Sequence, residues 1–166
     1  YFESGNSLVI TILFAILIVY LVLAAQFESF RKPLAIILTV PIALTAGLYT
    51  LFLTGASINV YSQIGFLMLI GLITKNGILV VEFANQLREK GMSVDEAIFE
   101  SSLIRLRPVL MTTISTLLGA VPLVLSSGAG AESRYAMAVV VLGGITLSSL
   151  ITLYLVPALY RLLEKN

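Results

Sequence analysis

The sequence predicts an all-α integral membrane chain of five transmembrane helices with one short cytoplasmic amphipathic helix. Of the 166 residues, 58% are hydrophobic and only 11% are charged, and the mean hydropathy of +1.03 lies well outside the range of a water-soluble domain. The apolar residues fall into five runs, each near the ~20 residues that a helix needs to cross a hydrocarbon core. Basic residues collect in short clusters between those runs, and a net charge of +1 without a basic block gives no footprint for nucleic acid. Cysteine and histidine are both missing from the composition, which excludes disulfides, thiolate chemistry and imidazole-based metal or proton chemistry. No nucleophile, acid–base pair or metal-ligating cluster falls at membrane depth, so the sequence predicts neither an enzyme nor a cofactor.

The first span is expected over residues 8–25. Its upstream stretch YFESGNS carries an acid and no basic residue, and no cleavage site follows, so the run reads as a retained span and not as a signal peptide. The second span, 34–53, contains Pro41, and the third covers 64–82. A short surface helix is expected over 93–106, started by a capping box in which Ser93 and Glu96 exchange hydrogen bonds, with Val94, Ala97, Ile98 and Ser101 as a weakly apolar face along the interface. Pro108 then opens the fourth span, 109–125. The fifth is 137–159. Loops at 54–59 and 126–131 are rich in small and polar residues, as turns at a membrane surface should be. Small residues at Ala43 and Gly47, at Ser115 and Gly119, and at Gly143 and Gly144 mark expected sites of close helix approach.

Eight of the ten basic residues share one side: Arg31, Lys32, Arg88, Lys90, Arg105, Arg107, Arg161 and Lys165, with Arg134 alone opposite them and Lys75 within a span. The positive-inside rule puts the eight in the cytoplasm, the C-terminus with them and Tyr1 outside. An odd number of spans with an external start and no initiator methionine leads to the expectation that Tyr1 continues from upstream sequence.

Lys75 is the candidate functional residue. An ammonium at the bilayer midplane costs ~2.5–3.5 kcal/mol on insertion scales. The nearest carboxylate on the same helix, Glu82, is seven residues on, roughly 10 Å of axial rise, so the partner of Lys75 is expected from outside this chain. In the fourth span Arg105, Thr112, Ser115, Thr116 and Gly119 fall on one narrow polar stripe. Each has an ordinary alternative: Arg105 can be an interfacial anchor, the Thr112 hydroxyl can bond back to its own helix, and Lys75 can be one half of a structural ion pair.

The strings GLITKNGILVVEFANQLREKG, RLRPVLMTT and LLGAVPLVLSSGAGAE, in that order, with AAQFESFRKP and VYSQIGFLMLIGLITKN before them, cover essentially the whole chain. They resemble the C-terminal transmembrane half of resistance-nodulation-division (RND) efflux transporters, most closely the hydrophobe/amphiphile efflux subfamily. The resemblance implies that these five spans correspond to the eighth through twelfth of a twelve-span protomer in a homotrimer of the bacterial inner membrane, working with a periplasmic adaptor and an outer-membrane channel. It implies drug:proton antiport driven by the proton-motive force, without a cofactor. Lys75 matches the relay lysine of the family, Arg105 the relay arginine at the first position of RLRP, and Thr112 the relay threonine; Asn76, next to the lysine, is a secondary candidate. The family completes this relay with an Asp-Asp pair in the N-terminal half, whereas the one aspartate here, Asp95, belongs to the cytoplasmic helix. Export of another substrate class by an RND relative, or a non-transporting scaffold, are the alternative readings.

The charge asymmetry makes a direct prediction. In the full-length protein in intact cells, an impermeant thiol reagent should label Ser127→Cys and spare Lys90→Cys; the reverse pattern would invert the topology.

Overall fold

The computed structural model describes residues 2–164; Tyr1 and Lys165, used above at the two chain ends, lie outside them. The described residues form six helices and no strand: α1 (Phe2–Phe27), α2 (Lys32–Ile37), α3 (Val40–Thr54), α4 (Val60–Glu89), α5 (Val94–Val124) and α6 (Ala131–Glu164). Counting α2 and α3 together, they supply five segments long and apolar enough to cross a membrane. The all-α membrane fold is therefore as the sequence predicts, and the helices run beyond the apolar cores by which the spans were bounded.

Two elements differ from expectation. The second span is broken at Leu38 and Thr39. Pro41 has no amide to give to the Ile37 carbonyl, and its ring crowds that oxygen. The chain adapts by tightening: Thr39 donates to the Ile36 carbonyl both from its amide, at 3.1 Å, and from Oγ1, at 2.6 Å. Thr39 is thereby satisfied although it is 1% exposed.

The second difference is at 93–106. The helix begins at the predicted capping box, with Ser93 Oγ accepting from the Glu96 amide at 3.3 Å and Glu96 Oε2 accepting from the Ser93 amide at 3.3 Å. It does not end before the fourth span. Pro108 lies inside one unbroken α5, costing the hydrogen bond to the Ile104 carbonyl without stopping the helix. The face expected to lie along the interface is packed on protein instead: Ala97 is 0% and Ile98 5% exposed, and Ser101 Oγ donates to the Val80 carbonyl of α4 at 2.6 Å. That interhelical bond and the burial of Ile98 hold the N-terminal turns of α5 upright against α4 and α6.

α6 and α4 form the spine. The backbone of α6 comes close to α2, α3, α4 and α5, whereas among the described residues that of α1 comes close to α2 and α4. Two apolar clusters are stacked along this spine. One joins Leu51 of α3, Phe66, Leu69 and Ile73 of α4, and Val140 and Ile145 of α6; the other joins Leu23 of α1, Ile36 of α2, Val80 and Val81 of α4, Ile98 of α5, and Val156 and Tyr160 of α6. In lipid such contacts gain little from the hydrophobic effect and depend on close fit. Gly143 and Gly144 provide it, since a Cβ at the first would collide with the Thr50 side chain and at the second with Leu69. Gly47 lies similarly under Phe66 and Val140. Ser115 and Gly119, expected to do the same, are exposed, and no atom approaches a Cβ built on Gly119 within 4 Å, because that face of α5 turns away from both α4 and α6.

Leu69 is fully buried and cannot swing aside. Gly144→Val is expected to overpack this contact by about 1–3 kcal/mol, read as a lowered thermal midpoint of the detergent-solubilised full-length protein.

Candidate functional site

Between the two clusters the helices change character. On α4 the gap from Ile73 to Val80 holds Thr74, Lys75 and Asn76; on α6 the gap from Ile145 to Val156 holds the buried Ser148, Ser149 and Thr152. α5 brings Thr112, Thr113 and Thr116 to the same level, and the three helices flank a crevice of about 20 Å³ lined by Lys75, Asn76, Thr112, Thr113, Thr116 and Ser149 together with the apolar Leu72, Ile73 and Ile145. That is room for about one water, with the several polar partners a water requires.

The hydroxyls are mostly tied back. Thr112 Oγ1 donates to the Val109 carbonyl at 3.0 Å, and Thr116 Oγ1 to the Thr112 carbonyl at 2.8 Å, the local bonding that threonines favour in helices. Thr113 is different, since its Oγ1 lies 3.3 Å from Ser149 Oγ and links α5 to α6. Lys75 is exposed and Asn76 half-buried. Among the described residues Lys75 has neither a salt bridge nor a hydrogen bond. It stands on the rim between the crevice and an apolar groove along α1 that includes Val22, Leu23 and Gln26. Thr74, beside it, has a buried Oγ1 without a partner.

Three of the four candidates therefore meet: Lys75, Asn76 and Thr112. Arg105 stands apart, two turns along α5 from Thr112. Its guanidinium lies 4.7 Å from the centroid of the Phe83 ring, and Phe83 is eight residues past Lys75, roughly 12 Å along α4. A cation over an aromatic face gains ~0.5–2 kcal/mol, yet Arg105 Nε is buried and unpartnered. Both cations thus keep hydrogen-bonding capacity that no described residue uses.

At the end carrying most of the basic residues, a second polar cluster closes the bundle. Arg88 pairs with Glu164 and reaches the Tyr160 hydroxyl at 3.5 Å, while Tyr160 donates to Asn85 Oδ1 at 2.7 Å. Asp95 and Arg161 pair at 2.6 Å across α5 and α6. Sequence reasoning missed these pairs, as it missed Thr113, Ser149 and Phe83. The available signal was spacing: Asn85 and Arg88 are three apart and Tyr160 and Glu164 four apart, so each pair shares a helix face.

The profile of the AcrB/AcrD/AcrF family matches residues 2–164. The chain belongs to this family. Its relatives include the multidrug resistance protein MdtC of Erwinia amylovora, 44% identical over 164 residues, which is 98% of this chain. MdtC of Escherichia coli O9:H4 is 42% identical over the same length, and an uncharacterized transporter of Haemophilus influenzae is 40% identical over 165 residues, or 95% of this chain. In each case the chain spans 16% of the relative's length. These matches bear out the RND resemblance, and the relatives are transporters, not enzymes. Within AcrB/AcrD/AcrF proteins this chain supplies membrane helices.

The hydroxyl contact between α5 and α6 is testable. A double-mutant cycle of Thr113→Val with Ser149→Ala in the full-length protein is expected to give a coupling of about 0.6 kcal/mol, with a ceiling near ~1.7 kcal/mol, in unfolding measurements in mixed micelles; no coupling would mean that the bond does not form.

Proposed function

We propose that the chain is the C-terminal transmembrane part of a proton-driven multidrug efflux transporter of the bacterial inner membrane, and that it carries the cationic side of a proton relay. The observation that carries this reading is Lys75: a cation halfway along an apolar helix, without a partner among the described residues, beside a small crevice that four hydroxyl or amide side chains besides Thr113 help to line. A purely structural lysine would be expected to close its ion pair within its own bundle, as Arg88 and Arg161 do. The names of the MdtC relatives support multidrug substrates.

On this reading an Asp-Asp pair from the N-terminal half of the same protein docks against Lys75. Ionised, the pair holds the ammonium by charge-assisted hydrogen bonds; protonated, it releases the lysine toward Asn76 and Thr112, whose carbonyl and hydroxyl oxygens can accept from it. Arg105, on the side from which the basic loops emerge, is the further cation of the same relay on this reading. One proton moving through 100 mV contributes ~2.3 kcal/mol, a shift of roughly fiftyfold between two packings of similar energy. Homotrimer assembly, a periplasmic adaptor and an outer-membrane channel belong to the same proposal, as does the orientation with the basic loops in the cytoplasm.

The test is Lys75→Met in the full-length transporter, which keeps the length and apolar volume of the side chain and deletes its charge. Proton-driven efflux in proteoliposomes should fall at least tenfold while expression and trimer content stay near parental, and Thr112→Ala should reduce efflux less. A Lys75→Met protein that assembles normally and pumps at the parental rate would refute the relay and leave Lys75 a structural residue.

A further inference from the structure

We propose that Phe83 is a positioning residue for the relay arginine: its ring holds the Arg105 guanidinium on the seam between α4 and α5 while leaving the N–H donors of that cation open to other partners. The role rests on the reading of Arg105 as a relay cation. The guanidinium carbon lies 4.7 Å from the centroid of the Phe83 ring, within the ~6 Å over which an aromatic face attracts a cation. Both side chains are half-buried. The backbone sets this contact. Ser101, one turn before Arg105 on the same face of α5, is fully buried and donates to the Val80 carbonyl at 2.6 Å, and Val80 lies one turn before Phe83 on α4.

Arg105 differs from the other arginines bound at this end of the bundle. Arg88 and Arg161 each close an ion pair with a carboxylate, whereas Arg105 forms none among the described residues and its Nε is buried without an acceptor. Glu82, next to Phe83 in the chain, is exposed and does not pair with it. A carboxylate would take two N–H groups in fork geometry and hold the cation by an attraction that grows as the dielectric falls. An aromatic ring attracts the same cation through its quadrupole without offering a lone pair, so the five N–H groups stay available.

The place of the ring decides what it does. Side chains on a helix lean toward its N-terminus, and the N-terminus of α5 is the end from which the basic loops emerge. A long cationic side chain that leans this way extends its head into water unless something holds it. Phe83 holds it at the wall of α4, the helix that carries Lys75, roughly 12 Å along from that lysine. Arg105 is thereby kept within roughly 10 Å of helix rise from Thr112, with donors available to water or to groups brought by the rest of the protein. Weakening the attraction of the ring releases the guanidinium toward the aqueous end and takes the cation out of the relay.

The test replaces Phe83 in the full-length transporter by mono-, di- and trifluorophenylalanine, which keep the shape of the ring and weaken the negative potential of its face step by step, and by cyclohexylalanine, which keeps the bulk and removes the π electrons. Proton-driven efflux in proteoliposomes under an imposed pH gradient, normalised to assembled transporter, should fall with each fluorine, by at least ~threefold for the trifluoro ring and at least as far for cyclohexylalanine. A rate that stays level or rises along the fluorine series would overturn the proposal, and a loss with cyclohexylalanine alone would make Phe83 a packing residue. Arg105→Ala separates this role from the relay itself. Efflux at the parental rate in that variant would remove Arg105 from the relay and refute the reading on which the role rests, whereas impaired efflux beside a level fluorine series refutes the positioning role alone. The fluorinated rings are nearly isosteric with phenylalanine, so the series does not depend on how the cyclohexylalanine variant folds.

Discussion

The close contact of α6 with α4 is the constraint on which the rest of the bundle depends. In a bilayer, apolar side chains have lipid as a good alternative partner, so two helices stay together only where their surfaces fit. Gly143 and Gly144 remove the side chains that would hold α6 away from Thr50 and Leu69. With the two long helices fixed at that depth, α3 is held against both on one side and α5 against both on the other. The two apolar clusters are the result, and the level left between them is where polar residues accumulate.

That arrangement explains how a charge can be kept at mid-depth. The dry clusters above and below hold the backbone rigid, while threonine and serine hydroxyls at the intermediate level leave a crevice with enough room for water. The lysine stands at the rim of that crevice instead of being sealed inside, with oxygen-bearing side chains and not only apolar ones beside it. Thr112 and Thr116 satisfy their hydroxyls on their own helix, which leaves the interhelical link to Thr113 and Ser149.

Most of the fold was legible because membrane helices declare themselves by length and hydropathy. The positions of Lys75, Asn76 and Thr112 were legible for the same reason: once the spans are placed, their depths follow. What was not legible depended on contacts between helices. The capping box at Ser93 was read correctly, but nothing local told that Ser101 would find the Val80 carbonyl, and without that bond Pro108 looks like a boundary. Pro41 does break its helix and Pro108 does not, although both remove one hydrogen bond. Arg105 was placed on one stripe with Thr112, yet Phe83, over whose ring it lies, is on another helix and leaves no mark in the spacing of α5.

The continuity of α5 has a mechanical meaning. A surface helix joined to a span by a flexible corner would absorb any movement of the span, whereas 31 unbroken helical residues form a rod about 46 Å long. Thr112 lies near its middle, Asp95 at one end and the loop after Val124 at the other. A tilt of the rod at the level of Lys75 must therefore appear with opposite sign at its two ends, pulling on the Asp95–Arg161 pair as the far end swings. α5 thus joins the level of the hydroxyls to both of its ends as one continuous helix.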